Sequence, residues 1–560
     1  MVNKRKIALF AAGGLFALLI LAAVALVLFV DVNAHKPRLE AAASDALGME
    51  VRIGGRLGVG LFPGIHVTLE DVRIRNRGAD VASAKEAILE IGLLPLLHQE
   101  IRIVKIGMTR PRISIEQDRN GKFNFESPEE EAGKKAAEEA KGTRFSLDVA
   151  KISLTDGAFF YVDKKTGEAL EAGEFNLDVS RLRLTGGKNP DLLKNLSFAA
   201  EFACKEFRKG SLAVSNLKLR IEGKDGLYGI RPITAARLVY SGPGGEVTAD
   251  RLALGVDNLT VGADGKADLL RRISFSGTAG IEVVRTEDLV VSDLKSAVDG
   301  KDGILVLDPV TMRLFGGQGS GSLRADLSGS VPQYHVRYSL SRFRIEEFLK
   351  ALSPKKVAEG PMDLSATLSM RGKTANEMKR TADGEVSLRG ENLTITGVDL
   401  DRTFSRYEAS QSFNLIDVGA FFIAGPFAPL ITKGYNFASL FRGTGGSSRI
   451  RALVSDWKVE RGIARAKDVA MATNEYRIAL LGSLDFVNER FNDVTVAMVD
   501  GKGCAMVRQK IRGPFRKPVV EKVSVLQTVA GPVLKLFKQA KTILGGRCEM
   551  LYAGSVAPPK

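Results

Sequence analysis

Residues 65–74 read Ile65-His-Val-Thr-Leu-Glu-Asp-Val-Arg-Ile74. Ile65, Val67 and Leu69 recur at every second position. In an extended strand they share one face, while His66, Thr68 and Glu70 share the other. Val72 and Ile74 resume the pattern after a slip of one residue, as at a β-bulge. The same period returns outward along the chain. It appears in Ala87, Leu89 and Ile91, in Ile101 and Ile103, and in Ile113 and Ile115. Phe123 and Phe125 follow the turn Arg119-Asn120-Gly121, whose Asn-Gly pair favours a hairpin. Further on come Phe145, Leu147 and Val149, then Ile152 and Leu154, then Phe175, Leu177 and Val179, then Leu182 and Leu184. Leu217 to Ile221, Leu364 to Leu368 and Val494 to Val496 are of the same type. The expected fold is mainly β, an antiparallel meander with one apolar and one polar face.

An apolar face needs a cover. A second sheet covers it in a sandwich, closure covers it in a barrel, and acyl chains cover it if the face stays open. The residues leave all three open. Helices are few. Pro128 to Gly142 is charged and Ala-rich without an apolar face, a solvated helix or a flexible linker. Arg344 to Leu352 is a short helix candidate. Asp31 to Leu47 carries Leu39, Ala43 and Leu47 at a spacing of four, as in a short amphipathic helix.

The chain begins with an apolar run. Ile7 to Val30 holds no charge and no Pro. About 24 residues at 1.5 Å each reach roughly 36 Å, enough for a transmembrane helix across a ~30 Å hydrocarbon core. Lys4, Arg5 and Lys6 precede it and keep the tip 1–6 in the cytoplasm by the positive-inside rule, so the body is exported. A cleaved signal is the alternative, but Val32-Asn33-Ala34 is a poor cleavage site.

Net charge is +15, from 80 Lys and Arg against 65 Asp and Glu. That excess attracts phosphate, in nucleic acid or in anionic lipid headgroups. An exported, tethered body meets lipid, and no zinc-finger spacing or aromatic-glycine RNA motif argues for nucleic acid. Little points to an enzyme, a cofactor or a metal. His35, His66, His98 and His335 show no metal-ligand spacing and sit beside no nucleophile motif. Gly317 to Gly321 and Gly443 to Gly446 lack the Lys-Ser/Thr of a phosphate loop and read as turns. Glu346 and Glu347 read as a solvated helix face. Val418 to Ile431 is too short to span and contains Gly425, Pro426 and Pro429; it reads as a buried hairpin or plug, or as a membrane-dipping element. Val519 to Leu544 has apolar residues at helical spacing, broken at Gly531-Pro532. Its lysines make a basic amphipathic helix that lies on a membrane or caps the β region.

Two regions resemble the AsmA family of bacterial envelope proteins. The first runs from Phe62-Pro63-Gly64 through Leu69 to Ile74, Ala84 to Leu97 and Ile101 to Ile106, closing with Pro111 to Ile115 and Asp118 to Phe125. The second holds Lys433-Gly434, Gly462 to Ala466, Thr473 to Ile478, Gly482 to Asp485, Gly503-Cys504, Gly513-Pro514, Lys517-Pro518, Cys548 and Tyr552 to Val556. The resemblance implies an inner-membrane anchor and a periplasmic body. It also implies a long, curved β-sheet whose apolar groove moves phospholipid between inner and outer membranes. The expected divisions are an amino-terminal β region at 31–126, a charged linker at 127–143, a central groove at 144–390 and a carboxy-terminal region at 391–560. Candidate groove residues are Ile65, Val67, Leu69, Ile113, Ile115, Phe145, Leu147, Val149, Phe175, Leu177 and Val179. Implied partners are phospholipid, the inner membrane, and the outer membrane or a protein in it. Cys504 and Cys548 fall in two family-like motifs of an oxidising compartment and are the expected disulfide, which leaves Cys204 packed and single. The alternative function is a non-enzymatic factor for outer-membrane assembly.

Overall fold

The computed structural model describes residues 32–60, 65–92, 103–126, 146–185, 195–224, 227–242, 245–261, 269–287, 289–350, 358–397, 399–402, 445–522, 524–525 and 548–559. The expected span 7–30, the linker 127–143, Phe145 and the segment 418–431 lie outside the described residues. Among the described residues no helix is long and apolar enough to cross a membrane. The chain is predominantly β strand with few, short helices. It divides into two compact units, Met1–Ala263 and Asp264–Lys560.

In the first unit a 3-10 turn, Val32–His35, leads into α1 (Lys36–Leu47). Pro37 suits the first helical turn, where its missing N–H costs nothing. Gly48 ends the helix at φ 64°, a left-handed conformation that glycine adopts without a Cβ clash. The helix docks through its polar side. Ser44 Oγ accepts from Val51 N at 2.9 Å and Glu40 Oε1 accepts from Ile53 N at 2.7 Å. The expected short helix forms, with Leu39 and Leu47, two of the residues at its spacing of four, exposed.

Strands β1 (Glu50–Ile53) and β2 (Leu57–Gly60) both pair antiparallel with β3 (Ile65–Asn76). Then come β4 (Ala79–Ile91), β5 (Ile103–Thr109), β6 (Arg112–Gln117), β7 (Ser146–Asp163), β8 (Ala169–Thr185), β9 (Leu196–Lys209), β10 (Leu212–Lys224), β11 (Leu227–Gly242) and β12 (Gly245–Val261). Successive strands pair antiparallel, except that β5 and β6 both lie between β4 and β7 and run parallel to β7. The turn at Asn120-Gly121 forms, with Asp118 N donating to Lys122 O and Gly121 at φ 85°. Beyond it the expected strand through Phe123 and Phe125 does not. Phe123 makes one bridge to Gln117, and Phe125 lies in a turn, stacked 5.1 Å from Phe123. Side chains take the backbone groups that a strand needs. Asn76 Nδ2 donates to Asn124 O and Glu126 O, and Asn124 bonds Ser114 O and Glu116 N.

The second unit has its own antiparallel meander of β13 (Ile273–Arg285), β14 (Val290–Lys301), β15 (Ile304–Leu314), β16 (Gly317–Asp326) and β17 (Gln333–Arg344). After α2 (Ile345–Lys350) come β18 (Ala358–Glu359), β19 (Pro361–Arg371), α3 (Ala375–Arg380), β20 (Asp383–Thr396), β21 (Ser447–Glu460), β22 (Ile463–Ala472), β23 (Arg477–Asp485), β24 (Arg490–Val499) and β25 (Ala505–Pro514). α2 falls inside the expected helix. Gly317 to Gly321, read from sequence as a turn, is strand. A Cβ on Gly317 would lie 2.7 Å from Phe343 Cα, and one on Gly319 2.6 Å from the Tyr338 hydroxyl, so these glycines admit close neighbours. Two pieces of the segment read as the start of a helix form β26 (Val519–Val520) and β27 (Ser524–Val525), paired with β25. The open backbone edge of β25 recruits them, and the branched valines suit a strand.

Candidate functional site

Directly opposed residues of a β-ladder share a face, so register shows what each face presents. In the first unit one file runs Val59, Val67, Leu89, Ile106, Ile152, Val179, Ala200, Ile221, Ile230 and Val256. It crosses ten strands without a polar side chain. Beside it runs a second file, Leu57, Leu69, Ala87, Met108, Leu154, Leu177, Phe202 and Leu219. At ~4.8 Å between strands, the longer file extends about 43 Å across the sheet.

The opposite face is charged. Lys151 pairs with Asp178, Arg183 with Asp148, Lys205 with Glu174, Arg220 with Glu201 and Arg237 with Asp250. Such exposed pairs stabilise by at most about 1 kcal/mol each. Their effect is to keep this face wet and its charge balanced.

A line of phase breaks crosses the strands at one level. Asp71, Arg110, Asp156, Glu174, Asn216 and Arg251 all have φ between 49° and 56°. At each, the alternation of apolar residues shifts by one, as between Leu69 and Val72 or between Leu217 and Val214. A bulge bends its strand and restores the apolar side chains to the same face beyond the bend. Burial follows this line. Ala84, Ala172, Phe175, Cys204, Ala235 and Ala249 are buried beside it, whereas Leu177, Val179, Ile152 and Val67 farther out are half-buried and Leu89 is 38% exposed. The apolar face thus carries a buried strip beside the bulges; farther out most file positions are half-buried, while Leu57, Ala200 and Val256 are buried.

Phe175 shows how the strip is built. It opposes Gly157 and Cys204, and its ring lies over Gly157, where a Cβ would sit 2.5 Å from Cζ. With Ala172 and Cys204 it forms a small cluster, flanked by Leu154, Phe159, Leu177, Phe202, Phe207 and Leu217. Cys204 is a free thiol whose Sγ donates to Glu206 O at 3.0 Å, and burial pushes its pKa up.

Of the sequence candidates, Ile65, Val67, Leu69, Leu177 and Val179 stand half-buried on the apolar face. Ile113 and Ile115 join them through Phe159 and Tyr161 in register. Val149 and Phe175 are 1% and 5% exposed, so they belong to the packed interior and not to the accessible wall. Leu147 opposes Leu184, and Phe145 is outside the described residues. The sequence candidates left out the part on β9 to β12, with Ala200, Phe202, Ile230 and Val256; Ile221 was read as strand but not named as a groove residue. The signal was present as the same alternation with a phase break in each strand.

The second unit differs where β20 to β25 pair. Leu393, Ile450, Ile478, Leu480, Leu484, Val494 and Val496 are 0% exposed in one large cluster that includes Trp457 and Met471. A smaller cluster of Ala470, Ala479, Ala497 and Val499 is closed by Tyr552 and Val556. Cys504 and Cys548 are bonded there, 44 residues apart with Cα atoms at 5.4 Å, and they hold the terminal segment. Tyr552 Oη donates to Asp468 Oδ1 at 2.6 Å, and Ser555 N donates to Oδ2 at 2.9 Å. The Arg477 guanidinium lies 5.3 Å from the centre of the Tyr552 ring and donates to Val556 O and Asp500 O.

The family model described as the AsmA family matches residues 1–234 and 270–469, well over half of the chain. It takes in the amino-terminal motifs and parts of both units, and ends before Thr473. No curated protein matches the chain at a significant level.

Proposed function

The chain belongs to the AsmA family, and on that premise we propose that it is a lipid transfer protein, held in the inner membrane by its amino-terminal segment, which carries phospholipid along the apolar face toward the outer membrane. One observation carries this reading, namely two apolar files crossing the first unit in register with their walls half-exposed to solvent. A protein core would bury such a face. Lipid chains are the ligand whose surface matches it.

The energetics support a conduit. Moving a phospholipid through water exposes about 30 CH₂ groups, at ~0.8 kcal/mol each, or about 24 kcal/mol. A file of Val, Ile and Leu walls removes most of that barrier with no bond made or broken, so no catalytic group is required. The phase breaks bend the strands around the chains, while the headgroup stays in water outside the walls. The closed clusters of β20 to β25 favour a second reading for that part alone, a structural role in envelope assembly.

The test is to purify the full chain in detergent and measure phospholipid phosphorus per protein. Photo-crosslinking residues are placed at Leu177 on the apolar face and at Asp178 on the charged face. Lipid adducts at 177 and none at 178 are expected. Lipid-free protein, or equal labelling of both faces, would rule out carriage along this surface.

A further inference from the structure

On the charged face of the first unit, Lys151, Arg183, Lys205, Arg220 and Arg237 each pair with a carboxylate on a neighbouring strand. At the last edge of the second unit that balance ends. Residues 502–522 contain Lys502, Arg508, Lys510, Arg512, Arg516, Lys517 and Lys522 against the single acid Glu521. Arg508 pairs with Glu549, and Arg512 with Glu521 at 3.6 Å. Among the described residues Lys510, Arg516, Lys517 and Lys522 have no ion-pair partner, and all four are exposed.

Two apolar side chains stand among these cations. Val519 is 54% exposed and Val520 39%, so both stand in water. Val519 opposes Arg512, so it shares a face with Arg508, Lys510 and Arg512, while Val520 opposes Ile511 on the other face. The turn carrying Arg516 and Lys517 lies directly before them, anchored by Phe515, which is buried against Phe491 at 4.8 Å. Among the described residues β26 and β27 pair only with β25, and they form the last edge of the described sheet. Exposed valines flanked by uncompensated cations meet two demands of an anionic bilayer at once. The charges approach headgroup phosphates, and Val519, on the face of Lys510 and Arg512, enters the boundary beneath them, with Val520 at the edge behind it. An acidic protein surface would use the charges and leave the valines wet.

We infer that the edge formed by β25, β26 and the turn at 515–518 is a docking surface for a membrane containing anionic phospholipid. This deepens the lipid-carrying reading and rests on it for its purpose, since a conduit must meet a bilayer away from its anchor, though its chemistry stands on the edge residues alone.

The full chain is reconstituted through its amino-terminal segment into phosphatidylcholine vesicles. These are mixed with labelled acceptor vesicles of phosphatidylcholine, with or without 30% phosphatidylglycerol, and tethering is read by co-flotation. Each cation near an anionic surface contributes roughly a fivefold change in partitioning. The quadruple variant Lys510→Glu, Arg516→Glu, Lys517→Glu, Lys522→Glu is therefore expected to lower tethering to anionic acceptors at least tenfold. The variant Val519→Ser, Val520→Ser keeps every charge and is expected to lower it severalfold. Unchanged thermal midpoints and co-purified lipid show that both variants fold. Equal tethering to neutral acceptors, or full tethering by both variants, overturns the assignment. Absence of tethering to anionic vesicles overturns it too and points to an acidic protein as the partner. Loss of co-purified lipid in the unmodified chain with tethering intact overturns the lipid-carrying reading and supports the docking surface.

Discussion

A single aspartate separates an open apolar face from a closed core. Leu177 and Ile478 are both aliphatic, both mid-strand and both flanked in register by apolar partners, Leu154 and Phe202 in one case and Met471 and Met498 in the other. Ile478 is 0% exposed, and Leu177 is half-buried. Ile478→Asp loses about 1.5–3 kcal/mol of apolar burial. It also buries a carboxylate without a partner, which costs several kcal/mol more. The sum is comparable with the whole stability of a domain, about 5–15 kcal/mol. Leu177→Asp loses about half of a leucine's burial, roughly 1 kcal/mol, and its carboxylate keeps water on the open side. The two variants should differ by at least about 4 kcal/mol, or some 10³ in the folded-to-unfolded ratio. Denaturant unfolding reads that gap, and phosphorus analysis reads bound lipid on the same samples. Leu177→Asp is expected to stay folded with reduced phospholipid, and Ile478→Asp to unfold or be degraded. If Leu177→Asp unfolds as readily as Ile478→Asp, the first unit has a protein-covered core and the conduit argument fails. A stable Leu177→Asp with unchanged lipid removes this face from the path.

Three further outcomes rest on the geometry. Closing a loop of 44 residues stabilises by about 4 kcal/mol through lost chain entropy, so Cys548→Ser should lower stability by that order and raise amide exchange in residues 548–559; free thiols at both positions in exported protein would contradict the bond. Burial opposes ionisation of Asp468, but hydrogen bonds from Ser555 and Tyr552 outweigh it and hold the carboxyl below its usual range. Its contribution is complete above the unfolded carboxyl's pKa near 4 and is lost as pH falls through the lower folded value; amide exchange in the terminal segment should rise only in that acid window, and Asp468→Asn should raise it at neutral pH. The positive-inside rule, applied to Lys4, Arg5 and Lys6 ahead of one apolar run, predicts a body outside the cytoplasm; a phosphatase fused after Lys560 should then be active in intact cells, and a stable but inactive fusion would reverse that topology.

Much of this molecule was legible as local pattern. Alternation at Ile65 to Leu69 and at Phe175 to Val179 identified strands, and the slip before Val72 located the bulge at Asp71, because side-chain direction in an extended chain depends on neighbours alone. The helix within Arg344 to Leu352 was visible for the same reason. Where competing partners decide, local pattern fell short. Phe123 and Phe125 alternate like strand residues, yet Asn76 and Asn124 take their backbone partners from elsewhere in the chain. Val519 stands at helical spacing from Val523 and Leu526, yet the free edge of β25 offers Val519 and Val520 hydrogen bonds. The glycines of β16 look like a turn until Tyr338 and Phe343 are seen against them. Sequence alone determined that this chain has an apolar face and a charged one. Tertiary structure decided which strands align their apolar residues into one file, and whether protein covers that file, as over Ile478, or leaves it half-open, as at Leu177. Both depend on contacts between residues far apart in the chain, and a period of two is the same in an open wall and in a closed core.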